Sequence, residues 1–423
     1  NTNTNTNTNT TAHNANLSLR QHKAQSNENS IVFTGCGTEA DNLAIRLALE
    51  VADSSTRTRT RQTRDSKKKH IVTSNVEHPA IDQALKALQA KGECDVTFVP
   101  VNNEGIVSAQ DMINAIRPNQ TILVTLMLAN NESGALQPVR DVSTHCRKHG
   151  ILFHTDAAQA AGKVSLSLED DDENNGGGGI GSGVDMVTIV GHKMGAPKGV
   201  AALYIRPGCL DDTYQSNLSN DNEINSAGNS NVEHSNSKTN SNSKSGILAN
   251  KAGVLLLGGG QENGLRAGTE NVPYIVGMGC AASLLTSKTR SSIYSRWEKN
   301  AMHMEAMRNR LLQNLTESLG EDIVRPNGPA DASLRLPNTL SVGLRGVDSA
   351  EMLKKIQMHV ACSAGSACHA QGGGLSPVLK AMGVPELFAR GTLRLSVGPT
   401  TRPEDVDKAA RFIVDEVRRQ IFC

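Results

Sequence analysis

The residues best suited to chemistry lie just past apolar runs. Lys193 follows MVTIV and is crowded by glycines and a proline in VGHKMGAPKG (190–199), a composition that forces a turn where a strand ends. Such a lysine stands at the mouth of a sheet. Asp156 closes ILFHTD with Gln159 shortly after, His78 follows HIVTS, and Asn130 and Asn131 follow TILVTLML. In FTGCGTEADNLAIRLALE (33–50), Thr38 precedes an acidic first turn and an apolar pattern of helical period. A lysine able to form a Schiff base, an aspartate one strand away and a glycine-rich turn at a helix start are the parts that hold pyridoxal phosphate. The carboxylate keeps the pyridine nitrogen protonated so that the ring draws electrons, while the turn's N–H groups and the helix dipole hold the phosphate. Taken singly, a glycine turn is commonly only a turn and a strand-end aspartate commonly a cap. Their joint placement at successive strand ends is what points to the cofactor.

The elements that must position these residues alternate along the chain. HIVTS (70–74), VTFVPV (96–101), TILVTLML (121–128), ILFHTD (151–156) and DMVTIVG (185–191) are strand-like, and IDQALKALQAKG and DVSTHCRKHG have helical patterns. That alternation predicts an α/β fold with a largely parallel sheet covered by helices on both faces, which binds ligands at the carboxyl ends of its strands.

Composition narrows the partners. In 423 residues, Lys+Arg 43 against Asp+Glu 42 leave a formal charge of +1, so no global field favours nucleic acid or acidic membranes. A small molecule is the expected partner. The cysteines are scattered, without CxxC pairs or clustering with histidine, which argues for reduced thiols and against a zinc site or a secreted disulfide framework. No apolar run approaches the roughly 20 residues needed to span a bilayer. A soluble intracellular protein, cytoplasmic or mitochondrial, is expected, although a chain opening on Asn1 carries no readable address. Four stretches read as tail or insert: residues 1–30, opening NTNTNTNTNT, then a basic loop at 52–69, an acidic and glycine-rich one at 169–183, and an Asn/Ser tract at 211–250. The basic loop has no aromatic residues for base stacking and reads as a solvated loop.

TEADNLAI, VEHPAI, LANNESG, HTDAAQAAGK, VGHKMGAPKG, GGGQENGLRAGTENV, CSAGSACHA and LRLSVG, in this order, closely resemble the NifS-like cysteine desulfurases and the selenocysteine lyases. Both are pyridoxal-phosphate-dependent enzymes of the class V aminotransferase fold (fold type I). The resemblance runs from about residue 31 to the C-terminus and implies a role for each matching position. Lys193 would be the Schiff-base lysine and then the base that moves the Cα proton, its pKa depressed by desolvation and by the cofactor's charge. Asp156 would pair with the pyridine nitrogen, Gln159 and Asn131 would bond the phenolic oxygen, and His78 would stack on the ring and shuttle protons. Thr38 and His192 would bind the phosphate. Thr269 matches a residue that reaches the phosphate of the partner subunit, implying a homodimer with shared sites. Cys368 takes the nucleophile's place on a Gly/Ser/Ala-rich stretch suited to carrying a thiolate toward substrate and then toward an acceptor. Arg394 would fork the substrate carboxylate.

The implied reaction converts L-cysteine to L-alanine and leaves a persulfide on the enzyme, for delivery to a sulfur-acceptor protein such as one in iron–sulfur cluster assembly. A selenocysteine lyase releasing selenide from L-selenocysteine is the alternative. Val190 and the His-Ala after Cys368 lean toward the lyases, whereas APKG and QEN…RAGTENV lean toward NifS. Two departures stand out: Gly35-Cys36 replaces the usual Ser-Gly of the phosphate turn, and residues 1–30 resemble neither the family's opening segment nor its first helix. A class V transaminase or an inactive, truncated homologue are the further alternatives. The expected layout is a large cofactor domain over 31–285 and, over 286–423, a linking helix and a small α/β domain. The helix carries a stripe of Ile293, Trp297, Ala301, Met304, Leu311, Leu315 and Leu319. LPNTLSVGL and TLRLSVG are the small domain's expected strands, and DVDKAARFIVDEVRRQI its last helix.

Overall fold

The structure is a computed structural model and describes residues 30–58, 68–169, 179–210, 254–288, 294–364 and 375–422. Seven strands form the first sheet: β1 (Ile31–Thr34), β2 (His70–Ser74), β3 (Asp95–Val99), β4 (Thr121–Thr125), β5 (Leu152–Asp156), β6 (Met186–Val190) and β7 (Ala201–Ile205), in the spatial order β1-β7-β6-β5-β4-β2-β3. Strands β2 to β6 run parallel, whereas β7 is antiparallel to both β6 and β1. The expected alternation therefore holds for the five parallel strands, β3 at one edge included, and misses the antiparallel pair at the other edge.

Consecutive residues of the central strands feed opposite faces, as a period of two requires. Ile71, Leu123, Leu152 and Met186 pack under α1 (Gly37–Thr58) and α2 (Pro79–Ala90), with Leu43, Leu47 and Leu85. Val72, Val124, Phe153 and Val187 face the other way, onto Val142 and Cys146 of α4 (Val139–Lys148) and Met112 of α3 (Ala109–Asn114). Each of these aliphatic side chains is buried, a gain of about 1.5–3 kcal/mol apiece. Helix α1 continues to Thr58, into the stretch expected to be a basic loop from residue 52. Nothing between Ala52 and Thr58 is glycine or proline, so the helix meets no stop signal there.

A four-stranded antiparallel sheet follows, ordered β10-β11-β9-β8 from β8 (Val324–Asn327), β9 (Thr339–Leu344), β10 (Ser363–Ala364) and β11 (Thr392–Ser396). Helix α5 (Val272–Thr286) precedes the long α6 (Arg296–Leu319), and α7 (Ser349–Ile356), α8 (Pro377–Ala381), α9 (Glu386–Ala389) and α10 (Pro403–Phe422) complete this part. Met304, Leu311 and Leu315 of the expected stripe are buried. Trp297, Ala301 and Leu319 are half-buried, and Ile293 lies outside the described residues. No helix among the described residues is long and apolar enough to cross a membrane.

Candidate active site

A cavity of about 580 Å³ opens at the carboxyl ends of the parallel strands. Lys193, Asp156, His78, Asn131, Gln159, Thr38, His192 and Arg394 all border it, although they come from distant parts of the chain. Thr269 does not: it lines a second cavity of about 200 Å³ with Thr34, Gly35, Arg266 and Glu270. Cys368 lies outside the described residues.

Local structure explains each placement. Lys193 ends a 3₁₀ turn, Gly191–Lys193, that leaves β6. Gly191 N–H donates to the Val200 carbonyl at 3.1 Å, and Gly191 O accepts from Met194 and Ala196 at 3.0 Å each. Gly195 and Gly199 have φ of 98° and 95°, values that favour glycine and let the chain double back. Burial first, then the Arg394 guanidinium, lowers the pKa of the Lys193 ammonium, with Asp156 pulling the other way. Asp156 is the last residue of β5 and accepts the Ala158 N–H at 2.8 Å. Burial raises this carboxyl, while the Ala158 N–H, His78 and Lys193 draw it back. It is a carboxylate that gains from a cation placed against it.

His78 is the N-cap of α2: its Nδ1 accepts from Ala80 N at 3.2 Å, so the remaining proton of the neutral ring sits on Nε2. Burial lowers its pKa. The two asparagines past β4 separate by task. Asn130 is buried, donating to the Val76 carbonyl while its Oδ1 accepts from Glu132 N and Ser133 N. It builds the turn that leaves Asn131 at the cavity wall. Arg394, on β11, donates to the Asn131 carbonyl at 3.2 Å and has no carboxylate partner among the described residues. The turn at 35–38 enters α1 with Gly37 so close to β6 that a Cβ there would lie 2.6 Å from Val190 Cγ2. Gly35 N–H is taken by Glu39 at 2.8 Å, and Glu39 pairs with Arg266, also at 2.8 Å. Cys36 is exposed on this turn and borders the cavity. Cys362 is half-buried against the core of the four-stranded sheet, its thiol pushed up to about 11.

Three groups escaped the sequence. Lys163 donates to Gln159 O at 2.8 Å and lies 3.5 Å from Lys193 O, tying two strand-end turns together. Burial, with Lys193 nearby, lowers its ammonium to about 8. Glu77 is buried, accepts the Met127 N–H through both oxygens at 3.1 Å and the Ser74 hydroxyl at 2.6 Å, and is pushed up to about 8 by burial. Asp41 is a further buried carboxyl at the cavity floor. Lys163 and Glu77 fall inside quoted motifs, but only the packed fold shows what they touch.

A sequence model of the family described as aminotransferase class-V matches residues 2–244 and 255–409. That match takes in much of residues 1–30, where the motifs alone gave no likeness. A cysteine desulfurase of Nostoc sp. is 34% identical over 396 residues, 93% of this chain and 79% of that protein. A selenocysteine lyase of Xenopus laevis is 36% identical over 397 residues, 90% of this chain and 78% of that protein. Among solved structures, a NifS-like protein superposes with a TM-score of 0.67 at 28% identity, covering 96% of this chain and 89% of its own. SspA in complex with cysteine superposes with a TM-score of 0.59 at 28% identity, covering 88% and 83%.

Proposed function

Because the chain belongs to the class V aminotransferase family, among the cysteine desulfurases and selenocysteine lyases, we propose that it is a pyridoxal-phosphate-dependent enzyme that takes the sulfur of L-cysteine and releases L-alanine. The observation that carries this reading is one cavity bordered by an amine with a lowered pKa, a buried carboxylate and a guanidinium without a carboxylate partner among the described residues. The donor set fits the cofactor. Asp156 is a buried carboxyl whose pKa burial raises, Lys193 offers a covalent anchor, and the 35–38 turn is too tight at Gly37 for a side chain. When bound, pyridoxal phosphate supplies a carbonyl that condenses with amines and a ring that accepts the electrons of a broken Cα–H bond.

The chain's own residues do the rest. Lys193 Nζ would hold the cofactor and, as a free amine, would take the substrate's Cα proton, a task its lowered proton affinity suits. Asp156 would hold the ring nitrogen protonated, His78 would offer the ring an apolar face and a single N–H, and Gln159 and Asn131 would donate to the phenolic oxygen. Thr38, His192 and the first N–H groups of α1 receive the phosphate. Thr269 completes the phosphate site of the partner subunit in a homodimer. Arg394 binds the substrate carboxylate. The Cβ–S bond of L-cysteine breaks as Cys368 sulfur bonds the departing sulfur: L-cysteine and the enzyme thiol become L-alanine and an enzyme persulfide, which an acceptor protein then discharges.

L-selenocysteine is the second reading. It is favoured by Val190, which fills the space beside Gly37 and offers the phosphate turn no hydroxyl, and by the likeness to a selenocysteine lyase. The test is alanine release from each amino acid by the wild-type chain and by Cys368→Ala. A desulfurase makes alanine from L-cysteine and loses it in Cys368→Ala. Alanine from L-selenocysteine alone would select the lyase, and wild-type rates from L-cysteine in Cys368→Ala would remove Cys368 from the mechanism.

A further inference from the structure

The cavity floor holds an acid that the proposed chemistry leaves without a task. Asp41, on the first turns of α1, is 2% exposed, and its Oδ1 has no hydrogen-bond partner among the described residues although Asp41 borders the same cavity as Lys193 and Asp156. Beside it a polar row crosses three parallel strands. Thr125, His154 and Thr188 share the α1 face of the sheet with Asp156, since they continue the alternation of Leu123, Leu152 and Met186. His154 Nδ1 meets Thr125 Oγ1 at 2.9 Å, its Nε2 meets Thr188 Oγ1 at 3.0 Å, and Asp41 Oδ1 lies 3.8 Å from Nε2. Burial drives the His154 ring down to about 3, so this neighbour is neutral and offers Asp41 no counter-charge.

Among the described residues, the titratable groups that face Asp41 are therefore Asp156, Glu77, Cys36 and neutral His154, and none is a cation; of these neighbours only the Thr188 hydroxyl favours its ionised form. Asp156 is served differently, by the Ala158 N–H and by His78 and Lys193. Two carboxyls in one buried corner thus receive unequal support, the arrangement that separates a proton holder from an ion.

We propose that Asp41 is a positioning residue that holds a proton in the cofactor-free protein and gives it up when a cationic ring nitrogen pairs with Asp156, so that loading of the cavity with pyridoxal phosphate is coupled to proton release. Pairing neutralises Asp156 and removes the repulsion that opposes ionisation of Asp41. The Asp41 O–H bond breaks, the proton passes to solvent at the cavity mouth, and the Thr188 hydroxyl donates to the carboxylate that is left. This inference rests on the reading of the cavity as a pyridoxal phosphate site.

Calorimetric titration of the full chain with pyridoxal phosphate, in buffers of different ionisation heats, counts the protons exchanged. Wild type should release more than Asp41→Asn, by about one proton per site at most. The difference should vanish at pH extremes, where Asp41 is fully protonated or fully ionised in both states. Inorganic phosphate, which fills only the turn, should give no difference. Thr188→Val removes the hydroxyl that favours the anion and should move the release to higher pH, which keeps the test open if Asp41→Asn does not fold. Equal counts at every pH for wild type and Asp41→Asn, or an unmoved release in Thr188→Val, would overturn the proposal. A wild-type chain that takes up no pyridoxal phosphate would overturn the functional reading beneath it.

Discussion

Arg394 stands at the cavity with its guanidinium donating to one backbone carbonyl and to no carboxylate among the described residues, so its removal should cost mainly substrate binding. Arg394→Ala is expected to lower kcat/KM by about 10- to 100-fold, the worth of a charge-assisted pair, with most of the change in KM. Steady-state kinetics of alanine release check it, and a change confined to kcat would contradict the assignment. Glu77 yields a stability prediction. Its carboxyl is raised to about 8 by burial, so the folded chain binds a proton that the unfolded chain releases at lower pH. Stability is therefore lost as pH rises from the ordinary carboxyl range through about 8. Glu77→Gln, which cannot ionise, should be more stable than wild type by an amount that grows across that window, to a few kcal/mol at most, and levels off above it. Urea unfolding at several pH values measures this; a gap that does not depend on pH would contradict it. The residues of catalytic type were legible in the sequence because turns expose them in motifs. Asp41, Glu77 and Lys163 were not, because a charged residue in a helical or loop pattern gives no sign that packing will bury it.

Among the elements, the contact between α1 and β6 fixes the phosphate turn relative to Lys193. Any side chain at Gly37 meets Val190 within 2.6 Å. Gly37→Ala should therefore destabilise the fold by about 1–3 kcal/mol, as overpacking does, and weaken cofactor retention because the turn and the lysine shift apart. Thermal unfolding together with pyridoxal phosphate affinity checks this; unchanged values for both would mean that the turn relaxes freely. The central strands were legible because they are continuous apolar runs, and HIVTS was read to its observed ends. Apolar composition carries no direction, so the antiparallel β7 and β1 were invisible until their pairing was seen. Strand β8 escaped for another reason: it is four residues long and contains Pro326, which argues against a strand in any sequence reading.

At the scale of the whole molecule, the two sheets meet at the cavity. Arg394 of the second sheet bonds the Asn131 carbonyl beyond the first, so ligand contacts come from both sides of the junction. Thr269 lies apart, in the smaller cavity, with Val272 and Val276 exposed a few residues along the chain. If Thr269 serves the partner subunit's site, Lys193→Ala and Thr269→Ala should complement each other. A mixed dimer rebuilds one intact site, and activity after subunit exchange should exceed the sum of the two parents. No recovery would return Thr269 to its own subunit. The central claim, that Lys193 anchors pyridoxal phosphate in this cavity, has a direct test. The purified chain is loaded with the cofactor, reduced with borohydride, digested and mapped by mass spectrometry. The expected result is a yellow protein bleached by reduction, with the pyridoxyl group on the peptide that carries Lys193. A label on Lys163 or spread over surface lysines, or no label at all, would contradict the claim.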